Sequence, residues 1–320
     1  MIRNQFRLAL VCSALLVLAA VAGGCSQRGE KAMIGSSESP DSDKRHAGCI
    51  IEPAMVAAAH TQRLGLQIIV DVRPLDAFEA GHLANARWLD LAAWTAAAKT
   101  TQTGLNDLGY WKRQALKLGI AGNEEVFIYD NGEMTEAARV WFILQLIGVG
   151  QAAVVNGGWP VLSAVKTADR IEEGPPPIVS AAFEFIGNAP PLVENVEREG
   201  LRAGVQSRRA DPILDVRTAD EYAGKDKRSN TRAGHLPGAK SLPHKQLLQG
   251  DGRMKSPAEL RRVFADAGLK PGQRVTVHCQ SGGRASVAAL ALVYSGFAPV
   301  DNYYLSFGDW AADVSCPIEE

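Results

Sequence analysis

The sequence predicts an α/β protein made of one unit used twice, each unit a parallel sheet flanked by helices, the two joined by a proline-rich linker. Three observations carry that expectation. The run IIVDVRPLDAFEAGHLANARWLDL (residues 68–91) returns as PILDVRTADEYAG…AGHLPGAKSLPHKQL (residues 212–247). Each copy alternates β-runs of four to six residues with helical patterns, the order of parallel strands joined by crossover helices. Between the copies stands IEEGPPPIVS, whose three consecutive prolines make a stiff, non-helical segment.

In chain order, each copy begins with a short apolar strand that ends in Asp-Val-Arg, as Asp71-Val72-Arg73 and again as Asp215-Val216-Arg217. An acidic amphipathic turn, a Gly-His-Leu and a second apolar run follow. Downstream, EEVFIYDNGEMTEAARVWFILQLIGV (124–149) corresponds to QRVTVHCQSGGRASVAALALVYSGF (273–297). Asp71 and Asp215 lie 144 positions apart, Asp130 and Cys279 149, so the copies keep step. VFIY, VTV and AAVV are continuous apolar runs, as strands buried on both faces should be. The second copy alone carries GKDKRSNTRA before its Gly-His-Leu, expected to be a solvated loop, with a place at the border of the cleft, where it would meet an anion, as the alternative. The domains are placed at 48–170 and 181–318, with the linker at 171–180.

Residues 1–24 are expected to be an export signal. MIRNQFR is basic and LALVCSALLVLAAVA is apolar but too short to span a bilayer comfortably. Ala20-Val21-Ala22 suits ordinary signal peptidase, whereas Ala22-Gly23-Gly24-Cys25 suits a lipoprotein site that makes Cys25 the lipidated first residue. The cysteine favours the second, with residues 25–47 as a flexible tether to the membrane. The resulting expectation is a bacterial exported protein, periplasmic or anchored at the outer membrane, that meets membrane through its lipid only. A net charge of −1 leaves no basic field for nucleic acid, and none of the six histidines has metal-ligand spacing with another His or Cys. Of five cysteines, Cys49, Cys279 and Cys316 fall outside the leader. Cys49 and Cys316 stand near opposite ends of the folded region, where chain ends often meet, which makes a bridge between them one expectation.

The chemistry is concentrated in VTVHCQSGGRAS. A strand ends in Cys279, then Gln280-Ser281-Gly282-Gly283 forms a tight loop closed by Arg284 at the head of a helical pattern. In α/β sheets such carboxyl ends are where ligands sit. Loop amides, helix dipole and Arg284 all favour a thiolate, so Cys279 is the candidate nucleophile rather than a small buried hydrophobe. The spacing is Cys-x4-Arg. Cysteine phosphatases use one residue more for a phosphate-sized bowl, and the shorter loop suits the terminal sulfur of a persulfide.

With DVR, AGHLPGA and HCQSGGRAS in the second copy, and DVR, AGHL, YDNGE, ARVWF and VNGGWP in the first, the chain resembles the tandem-domain rhodaneses. These are thiosulfate or 3-mercaptopyruvate sulfurtransferases, and the likeness runs from about residue 48 to 318. The resemblance implies two rhodanese-like domains, the first inactive because Asp130 stands where Cys279 stands. It implies ping-pong transfer without a cofactor. Cys279 takes sulfur from a small anionic donor, and cyanide or a thiol removes it. The amides of Gln280, Ser281, Gly282 and Gly283, with the Ser281 hydroxyl, would hold the sulfur, and Arg217 and Arg284 would address the donor's charge. That pair of cations favours thiosulfate, although CQSGGR matches neither the basic loop of thiosulfate-type tandem enzymes nor the Cys-Gly-Ser-Gly of the mercaptopyruvate type. A phosphatase or arsenate reductase on the same scaffold and a non-enzymatic persulfide carrier or redox sensor stay open. His82 and His235 are expected as structural hydrogen-bonders, His278 on the side of the strand opposite Cys279, and Trp159 as a core residue.

Overall fold

Two five-stranded sheets, parallel throughout, account for both copies. The computed structural model describes residues 48–320 apart from 63–66, 166–169, 183 and 208–210. The export signal, the tether and Cys25 lie outside the described residues.

In the first copy the strands are β1 (Ile50–Ile51), β2 (Gln67–Asp71), β3 (His82–Leu83), β4 (Arg87–Trp88), β5 (Glu125–Tyr129), β6 (Ala152–Val155) and β7 (Ile171–Glu172). The helices are α1 (Pro53–Gln62), α2 (Leu75–Glu79), α3 (Leu91–Ala97), α4 (Leu108–Lys117), α5 (Thr135–Leu146) and α6 (Gly158–Ala164). The second copy has β8 (Val193–Asn195), β9 (Ile213–Asp215), β10 (Lys240–Ser241), β11 (Val275–His278) and β12 (Val300–Asn302). Its helices are α7 (Arg198–Gln206), α8 (Ala219–Tyr222), α9 (Pro257–Asp266), α10 (Gly283–Tyr294) and α11 (Ser306–Ala312). The first sheet runs β1-β6-β5-β2-β4 and the second β10-β9-β11-β12-β8. Reversed, the first order matches the second strand for strand. The sequence repeat is therefore a structural repeat.

Register brings the two motifs of each copy to one edge. Asp215 pairs with His278, so the second Asp-Val-Arg and the Cys279 loop leave the sheet side by side. Asp71 pairs with Tyr129 in the same way. Strands β5 and β11 are buried nearly throughout, which is why they read as unbroken apolar runs.

The helices that follow these strands, α5 and α10, pack on each other. Helix α10 is buried at Gly283 and from Ala285 to Val293, and α5 from Ala137 to Gln145 except at Arg139. A helix apolar on all sides needs cover on all sides. Each has its own sheet behind it and the other helix in front, so one core cluster runs through both copies, from Val126 and Phe142 to Leu290 and Val293. Gln145 ties the copies further, accepting from Leu192 N–H and Val193 N–H and donating to the Val193 carbonyl.

The linker differs from the expectation in where it belongs. β7 pairs antiparallel with β3, and Ala182, Ile186 and Ala189 donate to carbonyls of Leu116, Ala121 and Gly148. The chain stays bonded to the first copy until β8 opens at Val193. Proline removes donors, and the segment bonds through the proline-free stretch between Pro177 and Pro190.

The Cys49–Cys316 bridge is not formed. Cys49 belongs to the core shared by both copies and Cys316 to a separate cluster around Trp310. Burial raises the pKa of both thiols. Protein denatured without reductant is expected to alkylate at Cys49, Cys279 and Cys316 alike. A disulfide-linked peptide joining Cys49 to Cys316 in a non-reducing map would contradict this.

Candidate active site

Strand β11 delivers Cys279 to the sheet edge, and three residues later Gly282 caps α10 with φ of +100°, a conformation open to glycine. Between them the carbonyls are all engaged on the outside of the turn. Cys279 O accepts from Phe307 N–H, Gln280 O from Gly308 N–H and Gly282 O from Ser286 N–H. Ser281 O accepts from Arg139 Nη1 at 2.6 Å. In a trans peptide the N–H points away from the C=O, so holding the carbonyls outward aims the amides of residues 280–283 inward. The Gly282 N–H reaches Cys279 Sγ at 3.1 Å. The sulfur lies at the head of a twelve-residue helix and is 1% exposed.

Ser306 supports the sulfur from behind. Its Oγ accepts the Cys279 N–H at 3.1 Å, donates to Tyr303 O at 2.8 Å and stands 3.8 Å from Sγ. A hydroxyl has one proton, and the shorter contact takes it, so Ser306 anchors the loop. It holds φ of +64°, unusual outside glycine.

Gln280 is paired amide to amide with Asn230, at 2.6 and 3.0 Å. The insertion predicted as a solvated loop thus also braces the Cys279 turn, and Arg232 within it donates to the carbonyls of Trp310, Ala311, Asp313 and Cys316. Beside the loop opens a cavity of about 560 Å³ lined by Asn230, Gln280, Ser281, Leu305 and Asp309, and by Lys99 from the first copy.

The two arginines expected to meet the donor are both engaged by carboxylates. Arg217 is 1% exposed. It clasps Asp215 through Nε and Nη2, gives Nη2 to Gly234 O at 2.7 Å and lies 3.9 Å from the Phe307 ring centroid. Arg73 does the same in the first copy, on Asp71, Gly81 O and the Trp159 ring. An arrangement repeated where no nucleophile exists is a fold device. Arg284 forms a two-pronged pair with Glu221 at 2.7 and 2.9 Å. Burial works against its charge, but Glu221 and the Cys279 sulfur raise its pKa. Glu221 is held in turn by a capping box with Thr218 at the head of α8. Burial alone would raise the Glu221 pKa, but Arg284 and Thr218 bring it down to about 2.

His82 and His235 behave as expected. They bond the carbonyls of Phe78 and Tyr222 and stack on those rings. His278 is fully buried, and burial lowers its pKa even though Asp215 stands 3.6 Å away. Trp159 packs on the first copy's core and stacks on Tyr129.

A model of the "Rhodanese-like domain" matches residues 55–164 and again 198–313. The chain belongs to the rhodanese family. It is 26% identical over 242 residues to the 3-mercaptopyruvate sulfurtransferase of Escherichia coli strain K12, covering 75% of this chain and 83% of that protein. It is also 26% identical over 255 residues to a candidate thiosulfate sulfurtransferase of Mycobacterium tuberculosis, 76% of this chain and 87% of the other. In fold it is similar to the crystal structure of SseA from Escherichia coli, with a TM-score of 0.67, 21% identity and coverage of 81% and 98%.

The first rhodanese domain shows what happens to the cradle when the cysteine is lost. Asp130 is 1% exposed, and its carboxylate accepts N–H bonds from Gly132, Met134, Glu136 and Ala137 at 2.9–3.2 Å. The bowl is filled by its own side chain. Burial raises the Asp130 pKa to about 6, Glu136 adds to the rise and the amides oppose it.

Sequence reasoning missed Arg139, Ser306, Asn230 and Glu221. Only Glu221 had a local signal, the Thr-x-x-Glu spacing of a capping box. The other three reach the loop across long chain separations.

Two outcomes follow. Arg73→Ala and Arg217→Ala should each cost about 3–5 kcal/mol in urea unfolding, because each leaves a buried carboxylate unpaired. Sulfur transfer lost in Arg217→Ala without loss of stability would contradict the structural assignment. Glu221 has its pKa depressed from 4.5 to about 2, so its contribution is full above about pH 5 and fades as pH falls toward 2. Wild type and Glu221→Gln should therefore differ most in stability above about pH 5, with the difference narrowing as pH falls through 4.5 and closing only below about pH 2.

Proposed function

We propose that this rhodanese is a sulfurtransferase that carries a sulfane sulfur on Cys279 as a persulfide. The observation that supports it best is the Gly282 N–H on Cys279 Sγ, within a turn whose carbonyls are all held outward. Such a turn offers amides to a sulfur anion. In the first step Cys279 thiolate attacks the outer sulfur of thiosulfate. A new S–S bond forms, the old one breaks, and its electron pair leaves on sulfite. With 3-mercaptopyruvate the C–S bond breaks instead, and pyruvate leaves after taking up a proton. In the second step cyanide or a thiolate attacks the outer sulfur of the persulfide, and the breaking S–S bond returns its pair to Cys279.

A preference for thiosulfate would need Arg217 and Arg284 to face the donor. Both are engaged by carboxylates, so the proposal is a small anionic donor of either kind. Lys99 at the neighbouring cavity is the cation offered to it. We further propose export and lipidation at Cys25, on the strength of Ala22-Gly23-Gly24-Cys25 behind an apolar run.

Protein spanning residues 48–320 is expected to make thiocyanate from cyanide with thiosulfate or 3-mercaptopyruvate, and Cys279→Ser to make none. Persulfide formation without turnover on either donor would favour a carrier of sulfur to another protein. Phosphatase turnover that Cys279→Ser abolishes, with no sulfur transfer, would overturn the reading.

A further inference from the structure

Of the four outward carbonyls in the nucleophile turn, three are held by backbone N–H groups of the same domain. The fourth, Ser281 O, is held by a side chain of the other domain, Arg139 on α5. That carbonyl shares its peptide plane with the Gly282 N–H, the amide that touches Cys279 Sγ at 3.1 Å. We propose that Arg139 is a positioning residue for Cys279, contributed by the domain that lacks a nucleophile. It fixes the orientation of the Ser281–Gly282 peptide and brings a positive charge to the outer side of the sulfur's cradle. This inference rests on the persulfide reading for its consequence in turnover, but not for its geometry.

The peptide needs such a hold. Gly282, at φ of +100°, is the residue best able to let that plane rotate, and a rotated plane would turn a carbonyl toward the sulfur. Arg139 opposes this with a 2.6 Å bond from Nη1 to Ser281 O, and its Nη2 lies 3.4 Å from Ser281 Oγ. The guanidinium is itself set by Tyr304. Nη1 donates to the Tyr304 hydroxyl at 3.1 Å, and the group lies 5.4 Å from that ring's centroid. A Cβ added at Gly283 would come within 3.0 Å of Arg139 Nε, so the glycine there lets the arginine close on the turn.

Charge makes the assignment specific. Among the described residues no carboxylate forms an ion pair with Arg139, whereas Arg284 is paired with Glu221 and Arg217 with Asp215. His278, behind the strand, has its pKa lowered by burial, and His244 is lowered to about 4 by burial and by Arg284. Arg139 is thus the cation whose charge is spent on the loop itself. The repeat shows the same asymmetry. Arg139 is the fifth residue of α5, and the fifth residue of α10 is Val287, buried and apolar. At that position of its helix, the partner domain offers the Asp130 cradle no cation.

The test compares Arg139→Met, which keeps the stem's packing and removes the fork, with Arg139→Lys, which keeps the charge. The readout is the rate of Cys279 alkylation by iodoacetamide against pH, in protein of residues 48–320 with Cys49→Ala and Cys316→Ala. Arg139→Met is expected to alkylate several-fold more slowly near neutral pH, with the profile displaced to higher pH, and Arg139→Lys to recover part of the displacement. In thiocyanate production Arg139→Met should lose roughly tenfold or more in kcat, with a smaller change in KM. A profile that coincides with that of the unsubstituted Arg139 protein, in folded Arg139→Met, would overturn the proposal whatever happens to turnover. If Arg139→Met does not fold, a profile for Arg139→Lys that is not displaced at all would overturn it. Alkylation needs no sulfur donor. A displaced profile in a protein that transfers no sulfur would therefore keep the positioning role and reject the persulfide reading alone.

Discussion

The site depends on one constraint: the carbonyls of the turn after β11 must all point away from Cys279. A carbonyl directed at the sulfur would repel a thiolate, and an amide there attracts it. Phe307, Gly308, Arg139 and Ser286 each bind one of these carbonyls from outside. Phe307 and Gly308 come from α11, Ser286 from α10 and Arg139 from the other copy. Cys279 is therefore held by tertiary structure from several directions, and the four-residue turn could not hold this shape alone.

Duplication gives that constraint two outcomes. In the second copy the inward amides meet a thiol, and in the first they meet the carboxylate of Asp130. The first domain keeps the strand order, the Asp-Val-Arg clasp and the helix after the loop, since these stabilise the fold. What differs is the residue at the head of the cradle, Asp130 in place of Cys279. Its helix α5 then becomes half of the shared core and carries Arg139 to the partner's loop.

Most of the fold was legible because its signals are local or repeated. Continuous apolar runs gave β5 and β11, and the duplicated Asp-Val-Arg and Gly-His-Leu gave two sheets. Cys279 and its glycines were legible because strand, tight loop and helix follow one another in sequence. What was not legible is the pairing of charges. Arg217 and Arg284 look like free cations in the sequence, yet Asp215, two residues from Arg217, and Glu221, 63 residues from Arg284, neutralise them. Arg139 lies 142 residues from the carbonyl it holds, within a helix that otherwise reads as core. Nothing in the local pattern marks such a contact. The insertion is exposed from Lys225 to Ser229, as its charged composition suggests, while Asn230 and Arg232 spend their donors on protein groups.

The central claim is that the turn is shaped to hold a sulfur anion on Cys279. The most direct measurement is the mass of the Cys279 peptide after the protein meets thiosulfate or 3-mercaptopyruvate with no acceptor present, followed by addition of cyanide. The account predicts a gain of one sulfur atom on that peptide alone, and its loss when cyanide is added. A Cys279 peptide that gains no sulfur from either donor, in protein whose thiol is shown to be reduced, would contradict it.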